Sequence, residues 1–315
     1  MSKNNRVLIV DQMHESIVPL LTAIGFDPAY EPSITHDEVK AKIENYVGLI
    51  VRSKLPVDRE LIDAAGELKF VARAGAGMDR LDTDYLYQKG VHVLNAPEGN
   101  RDAVGEHAIG LLLNLLNRIT ISNEQVKSNL WKREESRGIE LKNKVVGICG
   151  FGNTGESFAR KLAGFGCRVL AFDKYKQGFS SSYVEEVSLD EFRKRVEILS
   201  LHVPLTDETR SLFDKVEFLK YPQLKVVLNT ARGEILKLDA LLDLLEEDKL
   251  LGVGLDVLEN EKLDELTESE REIFDKLTAL NNVIITPHVA GWTYESYERI
   301  NQVLVQKIRE LILLQ

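Results

Sequence analysis

Three polar residues in the second half of the chain have types and spacings that could work together. Arg232 follows the apolar run Val226-Val-Leu-Asn-Thr-Ala, Glu261 follows Gly254-Leu-Asp-Val-Leu-Glu-Asn, and His288 follows Val283-Ile-Ile-Thr-Pro. A guanidinium can hold a carboxylate through two parallel hydrogen bonds and polarise a neighbouring carbonyl. An imidazole titrates near neutrality and can pass a proton to or from an oxygen while a hydride moves at the adjoining carbon. A carboxylate on the other imidazole nitrogen fixes the tautomer and favours the protonated acid. Singly, a loop Arg or Glu is usually a solvated charge, and a His beside Pro is usually structural. Each of these three, however, stands at or just beyond the carboxyl end of a strand-like run. In an open parallel sheet that edge is where ligands bind, so the three can converge.

Upstream lies Val145-Val-Gly-Ile-Cys-Gly150-Phe-Gly152-Asn-Thr-Gly155, an apolar strand running into Gly-x-Gly-x-x-Gly, with a helix expected from Glu156. Asp173 closes the next strand, Arg168-Val-Leu-Ala-Phe-Asp173, eighteen residues beyond Gly155. This is the layout of a dinucleotide-binding βαβ unit. Gly150 permits the tight turn, Gly152 lets the backbone approach a pyrophosphate, and Gly155 allows close helix–strand packing. The diphosphate then meets N–H groups at a helix N-terminus, and Asp173 accepts from a ribose diol.

The elements that must position these residues alternate along the chain. Val7–Val10, Val47–Val51, Phe70–Ala72 and Val91–Leu94 read as fully buried parallel strands, with helical spacing over Glu15–Ile24, His36–Glu44 and Asp58–Ala65. Strands near 145–149, 168–172, 197–201, 225–229, 252–256 and 283–286 make a second sheet. Between the two series, 102–118 forms a helix apolar on most of its circumference, which suggests an interdomain or subunit contact, most simply a homodimer. From Thr293 a last helix places Tyr294, Tyr297, Ile300, Leu304, Ile308 and Leu311 on one face, as if crossing back to the first domain. The fold class is therefore α/β, with two doubly wound parallel-sheet domains. A Rossmann cofactor domain, 101–289, is expected as an insertion into a flavodoxin-like substrate domain, 1–100 and 290–315.

Bulk composition agrees. At 315 residues the chain exceeds a single core, and 44% hydrophobic and 29% charged residues are ordinary for a globular protein. A net charge of −10 argues against nucleic acid or an anionic membrane as partner, so an anionic substrate needs locally placed arginines. The N-terminus carries no signal-like apolar stretch and no run approaches a membrane span. Cys149 and Cys167 stand beside core strands without a Cys/His cluster, so they read as thiols of a cytoplasmic protein rather than metal ligands.

The blocks His202-Val-Pro-Leu-Thr, Asn229-Thr-Ala-Arg-Gly-Glu, Gly254-Leu-Asp-Val-Leu-Glu-Asn-Glu and Thr286-Pro-His-Val-Ala-Gly-Trp-Thr, in order behind the glycine fingerprint, resemble the signatures of the D-isomer-specific 2-hydroxyacid dehydrogenases. The resemblance covers essentially the whole chain. It implies that Arg232, Glu261 and His288 are the catalytic trio of an NAD-dependent oxidoreductase acting on a small anionic 2-hydroxy or 2-oxo acid. It further implies that Asn153, Thr154 and Asp173 hold the diphosphate and ribose. Val203, Thr230, Ala76 and Gly291 would line the cofactor, and Asp256 would lie near the nicotinamide amide. The acid at Asp173 repels a 2′-phosphate and favours NAD over NADP, although Lys174 and Lys176 stand beside it. One departure is Lys262, where the family usually has proline after the catalytic glutamate; this alters loop stiffness more than chemistry.

The first domain would complete the substrate pocket. Arg52-Ser53-Lys54 follows one strand and Arg73-Ala-Gly75-Ala-Gly77-Met-Asp79 another, the glycines letting backbone N–H groups approach a carboxylate. Within the family this pattern resembles D-3-phosphoglycerate dehydrogenases of serine biosynthesis most closely, with Arg52 as phosphate ligand and Ser53 and Gly75 beside it. A short form without a regulatory domain is expected. The alternatives are a glyoxylate or hydroxypyruvate reductase and, from another class, a non-catalytic NAD-sensing corepressor on the same fold.

Overall fold

The computed structural model describes residues 5–313. Residues up to Arg101 together with those from Trp292 make one compact unit, and Asp102–Gly291 makes the other.

The first unit runs β1 (Arg6–Ile9), α1 (Ile17–Ala23), β2 (Asp27–Tyr30), α2 (His36–Lys42), β3 (Gly48–Val51), α3 (Arg59–Ala64), β4 (Phe70–Arg73), α4 (Thr83–Gln88) and β5 (His92–Asn95). Its strands pair in parallel in the order β2-β1-β3-β4-β5, a flavodoxin-like doubly wound sheet. Alternation along the strands fills two cores: Leu8, Leu49 and Val71 face one side, Val7, Ile9, Ile50 and Ala72 the other. The apolar runs foretell β1, β3 and β4, whereas β5 is only partly buried. Two elements carry no such signal. β2 is an edge strand holding Pro28 with both ends exposed, and α4 buries only Leu86 behind its Asp82 cap.

Helix α5 (Pro97–Asn117) begins in the first unit and leads into the second, which continues through α6 (Ile119–Lys127), β6 (Val145–Cys149), α7 (Asn153–Leu162), β7 (Arg168–Phe172), β8 (Glu185–Glu186), α8 (Leu189–Arg195) and β9 (Ile198–Leu201). Then come α9 (Lys215–Phe218), β10 (Val226–Asn229), α10 (Leu238–Glu246), β11 (Gly252–Leu255), α11 (Glu268–Ala279) and β12 (Val283–Ile285). The sheet is ordered β12-β11-β10-β9-β6-β7-β8, all parallel, so the crossover reverses beside β6. β8 is a two-residue addition with no apolar pattern to announce it. α5 starts at Pro97 rather than at residue 102, and its Ala108, Leu111, Leu112 and Leu116 pack with Val146 and Ile148 in the core of this unit.

The chain returns as α12 (Tyr294–Leu313), whose Ile300, Leu304, Val305 and Ile308 complete the core made by Val7, Ile9, Ile50 and Phe70. The expected apolar face needs one correction. Tyr294 is 95% exposed; the buried series starts at Ser296 and continues through Ile300, Leu304 and Ile308, one turn apart. Among the described residues no helix is long and apolar enough to cross a membrane.

Candidate active site

The glycine fingerprint forms the turn from β6 into α7. Gly150 has φ of +93°, and a Cβ at Gly155 would lie 2.2 Å from the Gly150 carbonyl oxygen, so strand and helix pack backbone to backbone. A Cβ at Gly152 would meet nothing within 4 Å, which leaves room above the turn. Gly152 caps α7, which starts at Asn153 rather than Glu156, and no side chain caps the helix. Thr154 in its first turn contacts the His202 Nδ1 at 3.2 Å, while His202 Nε2 lies 2.8 Å from Ser200 Oγ. Burial lowers the His202 pKa to about 3, so this imidazole is a neutral strut between β9 and α7. Val203 lies against Gly150.

Asp173 stands at the end of β7 and accepts the N–H groups of Phe151 (2.8 Å), Tyr175 (2.9 Å) and Lys176 (2.9 Å). Partial burial works against its charge, yet these N–H groups outweigh it and hold the carboxyl below the usual carboxylate range. The neighbouring Lys174 is paired with Glu208 at 2.7 Å, and Lys176 reaches the Phe151 carbonyl at 3.2 Å. A carboxylate held ionised by three backbone N–H groups suits a ribose diol better than a 2′-phosphate. After β10, the Thr230 hydroxyl is buried without a partner, an orphan of the kind a bound ligand satisfies. The open turn, the uncapped helix, the ionised Asp173 and this orphan fit an NAD molecule.

Arg232, Glu261 and His288 follow β10, β11 and β12, three neighbouring strands, at one carboxyl edge. The buried Asn229 fixes the first of these loops, donating to the Arg232 carbonyl (2.9 Å) and accepting from Ala231 N–H (3.0 Å). Arg232 Nη1 donates to the Ala231 carbonyl at 2.7 Å, which anchors the guanidinium. His288 Nδ1 lies 2.9 Å from Glu261 Oε1, with the pair about half exposed. That contact leaves Nε2 facing away from the carboxylate, as a proton carrier requires. His288 has φ of +54°, a left-handed backbone that only strong local bonding maintains. Asp256 supplies that bonding. Its carbonyl accepts His288 N–H (2.8 Å) and its buried carboxylate accepts Val289 N–H (2.9 Å), Ala290 N–H (2.7 Å) and the Thr286 hydroxyl (2.6 Å). Asp256 is thus first an organiser of the 286–290 loop; three of its roughly four acceptor positions are taken.

In the first unit Asp11, just beyond β1, accepts the N–H groups of Arg52 (2.6 Å) and Lys54 (3.1 Å), with Ser53 N–H at 3.5 Å. The Arg52 guanidinium lies 3.5 Å above the Trp292 ring and 5.3 Å from that of Tyr297. Burial holds its pKa below the ordinary value, with Tyr297 and Asp11 opposing the shift. Ser53 is exposed. The Gly75 N–H donates to the Arg73 carbonyl at 2.9 Å, so it is already committed and not turned toward a ligand; Ala76 offers its carbonyl to Asn95 Nδ2 at 2.7 Å. Gly291 closes the second unit.

Several positioning residues escaped sequence reading. Asp11 follows an apolar strand and could have been singled out by that place alone. Thr286 and His107, which meet at 2.9 Å, are separated by 179 residues and have no local signature.

Taken together, the two sheets and the strand-end chemistry define a dinucleotide-dependent oxidoreductase. The family profile "D-isomer specific 2-hydroxyacid dehydrogenase, NAD binding domain" matches residues 109–290. A hydroxypyruvate reductase of Thermotoga maritima is 36% identical over 272 residues, 86% of this chain and 87% of that protein. A D-3-phosphoglycerate dehydrogenase of Methanocaldococcus jannaschii is 31% identical over 310 residues, 98% of this chain but 57% of the longer relative. Among solved structures, a D-lactate dehydrogenase from Aquifex aeolicus complexed with NAD and lactic acid aligns with a TM-score of 0.81 at 26% identity, over 98% of this chain and 95% of the other. The chain belongs to the D-isomer specific 2-hydroxyacid dehydrogenases and is an NAD-dependent oxidoreductase of that family.

Proposed function

We propose that the chain interconverts D-3-phosphoglycerate and 3-phosphohydroxypyruvate, the oxidation that opens serine formation. The observation that carries this reading is Arg52, a cation fixed by stacking on Trp292 and by the grip of Asp11 on its backbone. A dianionic phosphate in a protein of net charge −10 needs such a fixed cation, and a guanidinium offers two parallel N–H donors to it. In this reading Ser53 and Gly75 stand beside the substrate, with Gly75 serving the turn rather than donating its N–H.

At the reacting end, Arg232 grips the substrate carboxylate and draws electron density from the adjacent carbonyl. His288 gives its Nε2 proton to the carbonyl oxygen in reduction and takes it back in oxidation. Glu261 holds Nδ1 and stabilises the imidazolium. The nicotinamide, when bound, supplies or accepts the hydride at that carbon. Asn153, Thr154 and Asp173 hold the diphosphate and ribose; Ala76, Val203, Thr230, Asp256 and Gly291 line the remainder.

The experiment is a panel of 3-phosphohydroxypyruvate, hydroxypyruvate, glyoxylate and pyruvate against NADH and NADPH, for the parent chain and Arg52→Ala. The variant is expected to lose tens-fold in kcat/KM on the phosphorylated substrate, the worth of a hydrogen bond to a charged group, and little on glyoxylate. Equal losses on both would remove Arg52 from the phosphate site. A second reading, hydroxypyruvate reductase, is supported by the Thermotoga maritima relative, which the chain matches over nearly equal lengths. Higher kcat/KM on hydroxypyruvate than on its phosphate would establish it. We further propose a homodimer in the cytoplasm, supported by the exposed apolar side chains of Ile119, Val126, Leu130 and Trp131 and by two free cysteines.

A further inference from the structure

Beneath the catalytic edge of the second unit, hydrogen bonds run from α5 to the loop that carries His288. His107 Nε2 lies 2.9 Å from Thr286 Oγ1, and Thr286 Oγ1 lies 2.6 Å from Asp256 Oδ1. His107 Nε2 is 3.6 Å from Asp256 Oδ1 itself, beyond hydrogen-bond reach, so its link to the carboxylate runs through the hydroxyl. Asp256 then grips both flanks of His288, through the 288 N–H on its carbonyl and the 289 and 290 N–H groups on its carboxylate.

Counting protons fixes the direction of this chain. Two oxygens 2.6 Å apart share a proton. Both oxygens of Asp256 already accept backbone N–H groups, as an ionised carboxylate does, so the threonine hydroxyl is the donor. A hydroxyl has one hydrogen. With it directed at Asp256, Thr286 can only accept from His107, which therefore carries its hydrogen on Nε2.

We infer that His107 is a positioning residue for the catalytic loop: its Nε2–H, acting through Thr286 and Asp256, fixes the left-handed backbone that aims His288. The inference rests on the reading of His288 as the proton carrier. Helix α5 is otherwise apolar where it packs on the sheet, with Ala108, Leu111 and Leu112 in the core, so a histidine there has a polar task to perform. Without its donor, the Thr286 oxygen loses a partner, the hydroxyl is free to rotate away from Asp256, and the loop loses one of the bonds that oppose its backbone strain.

The test has two independent readouts. In the ligand-free protein, imidazole nitrogen–proton correlation spectra, assigned with His107→Gln, are expected to show a hydrogen on His107 Nε2. A bare Nε2, with the hydrogen on Nδ1 alone, would overturn the inference. In steady-state kinetics with hydroxypyruvate and NADH, His107→Leu is expected to lower kcat about tenfold, the value of one hydrogen bond, with KM little changed. His107→Gln keeps an N–H at similar reach and is expected to recover most of the loss. Wild-type kcat in the Leu variant, or equal losses in both, would overturn the donor role. Full turnover in His288→Ala would remove the proton carrier, and with it the purpose assigned to His107, even where the Nε2 hydrogen is as stated.

Discussion

His288 combines an exposed imidazole with a backbone at φ of +54°, and the two are linked through Asp256. In the proposed role the side chain moves a proton, which asks its loop to hold one geometry while remaining open. Replacing it with Ala is expected to lower turnover by roughly 10²–10⁴-fold while NADH still binds, measured by steady-state kinetics and fluorescence titration. Near-normal turnover would dismiss the assigned role. The other histidine at the cofactor turn behaves oppositely. His202 is buried, and its pKa is lowered from 6.5 to about 3. Above pH 6.5 neither the folded nor the unfolded form is charged there. As pH falls from 6.5 toward 3, the unfolded chain takes up a proton that the folded chain refuses, and stability drops by up to about 1.4 kcal/mol per pH unit. Thermal unfolding of the parent and His202→Gln across that window should differ in slope; identical slopes would mean that His202 is not the neutral strut described. At this scale the sequence was most legible where a residue stands just after an apolar strand, as Arg232 and His288 do. It was least legible for His107, Thr286 and Trp292, whose roles arise from partners far away in the chain or in a turn with no repeating pattern.

Among the elements, the β6–α7 junction separates two uses of glycine. A Cβ added at Gly155 would lie 2.2 Å from the Gly150 carbonyl oxygen, whereas one at Gly152 would face open space. Gly155→Ala is therefore expected to cost about 1–3 kcal/mol of stability through overpacking. Gly152→Ala should leave the melting temperature nearly unchanged yet weaken NADH binding by about tenfold, because the added methyl meets the cofactor rather than the protein. Melting curves and NADH titrations on the two variants decide the matter; a destabilised Gly152→Ala with normal NADH affinity would contradict it. Strands buried on both faces announce themselves as apolar runs, which is why β1, β3, β4, β6, β7 and β9 through β11 were legible. β5 and β12 lie at sheet edges yet keep an apolar run, whereas the edge strands β2, with Asp27 and Pro28, and β8, only Glu185–Glu186, have none. The stripe on α12 was misplaced by one turn at its start, since aromatic side chains near a helix end can point to solvent as readily as inward.

On the scale of the molecule, the apolar helix α5 places Ala108, Leu111, Leu112 and Leu116 in the core of the second unit, which leaves its remaining faces for the contact with a second copy expected of it. The same proposed surface continues onto α6 and the turn after it, where Trp131 is 84% and Ile119 55% exposed. Trp131→Asp is expected to shift the protein from dimer to monomer in sedimentation velocity, since a charge there must be desolvated twice in a two-fold contact. A parent chain that already sediments as a monomer would end the proposal.

The discontinuity of the first unit has a consequence for biosynthesis. Val7, Ile9, Ile50 and Phe70 are translated before the second unit, but Ile300, Leu304 and Ile308 of α12, which cover them, are translated only after it. While the ribosome works through the intervening residues, that sheet face has no lid and is a natural client for a chaperone. The second unit is contiguous and can close as soon as it emerges. The order of maturation thus reverses the order of synthesis: the half that begins first is finished last.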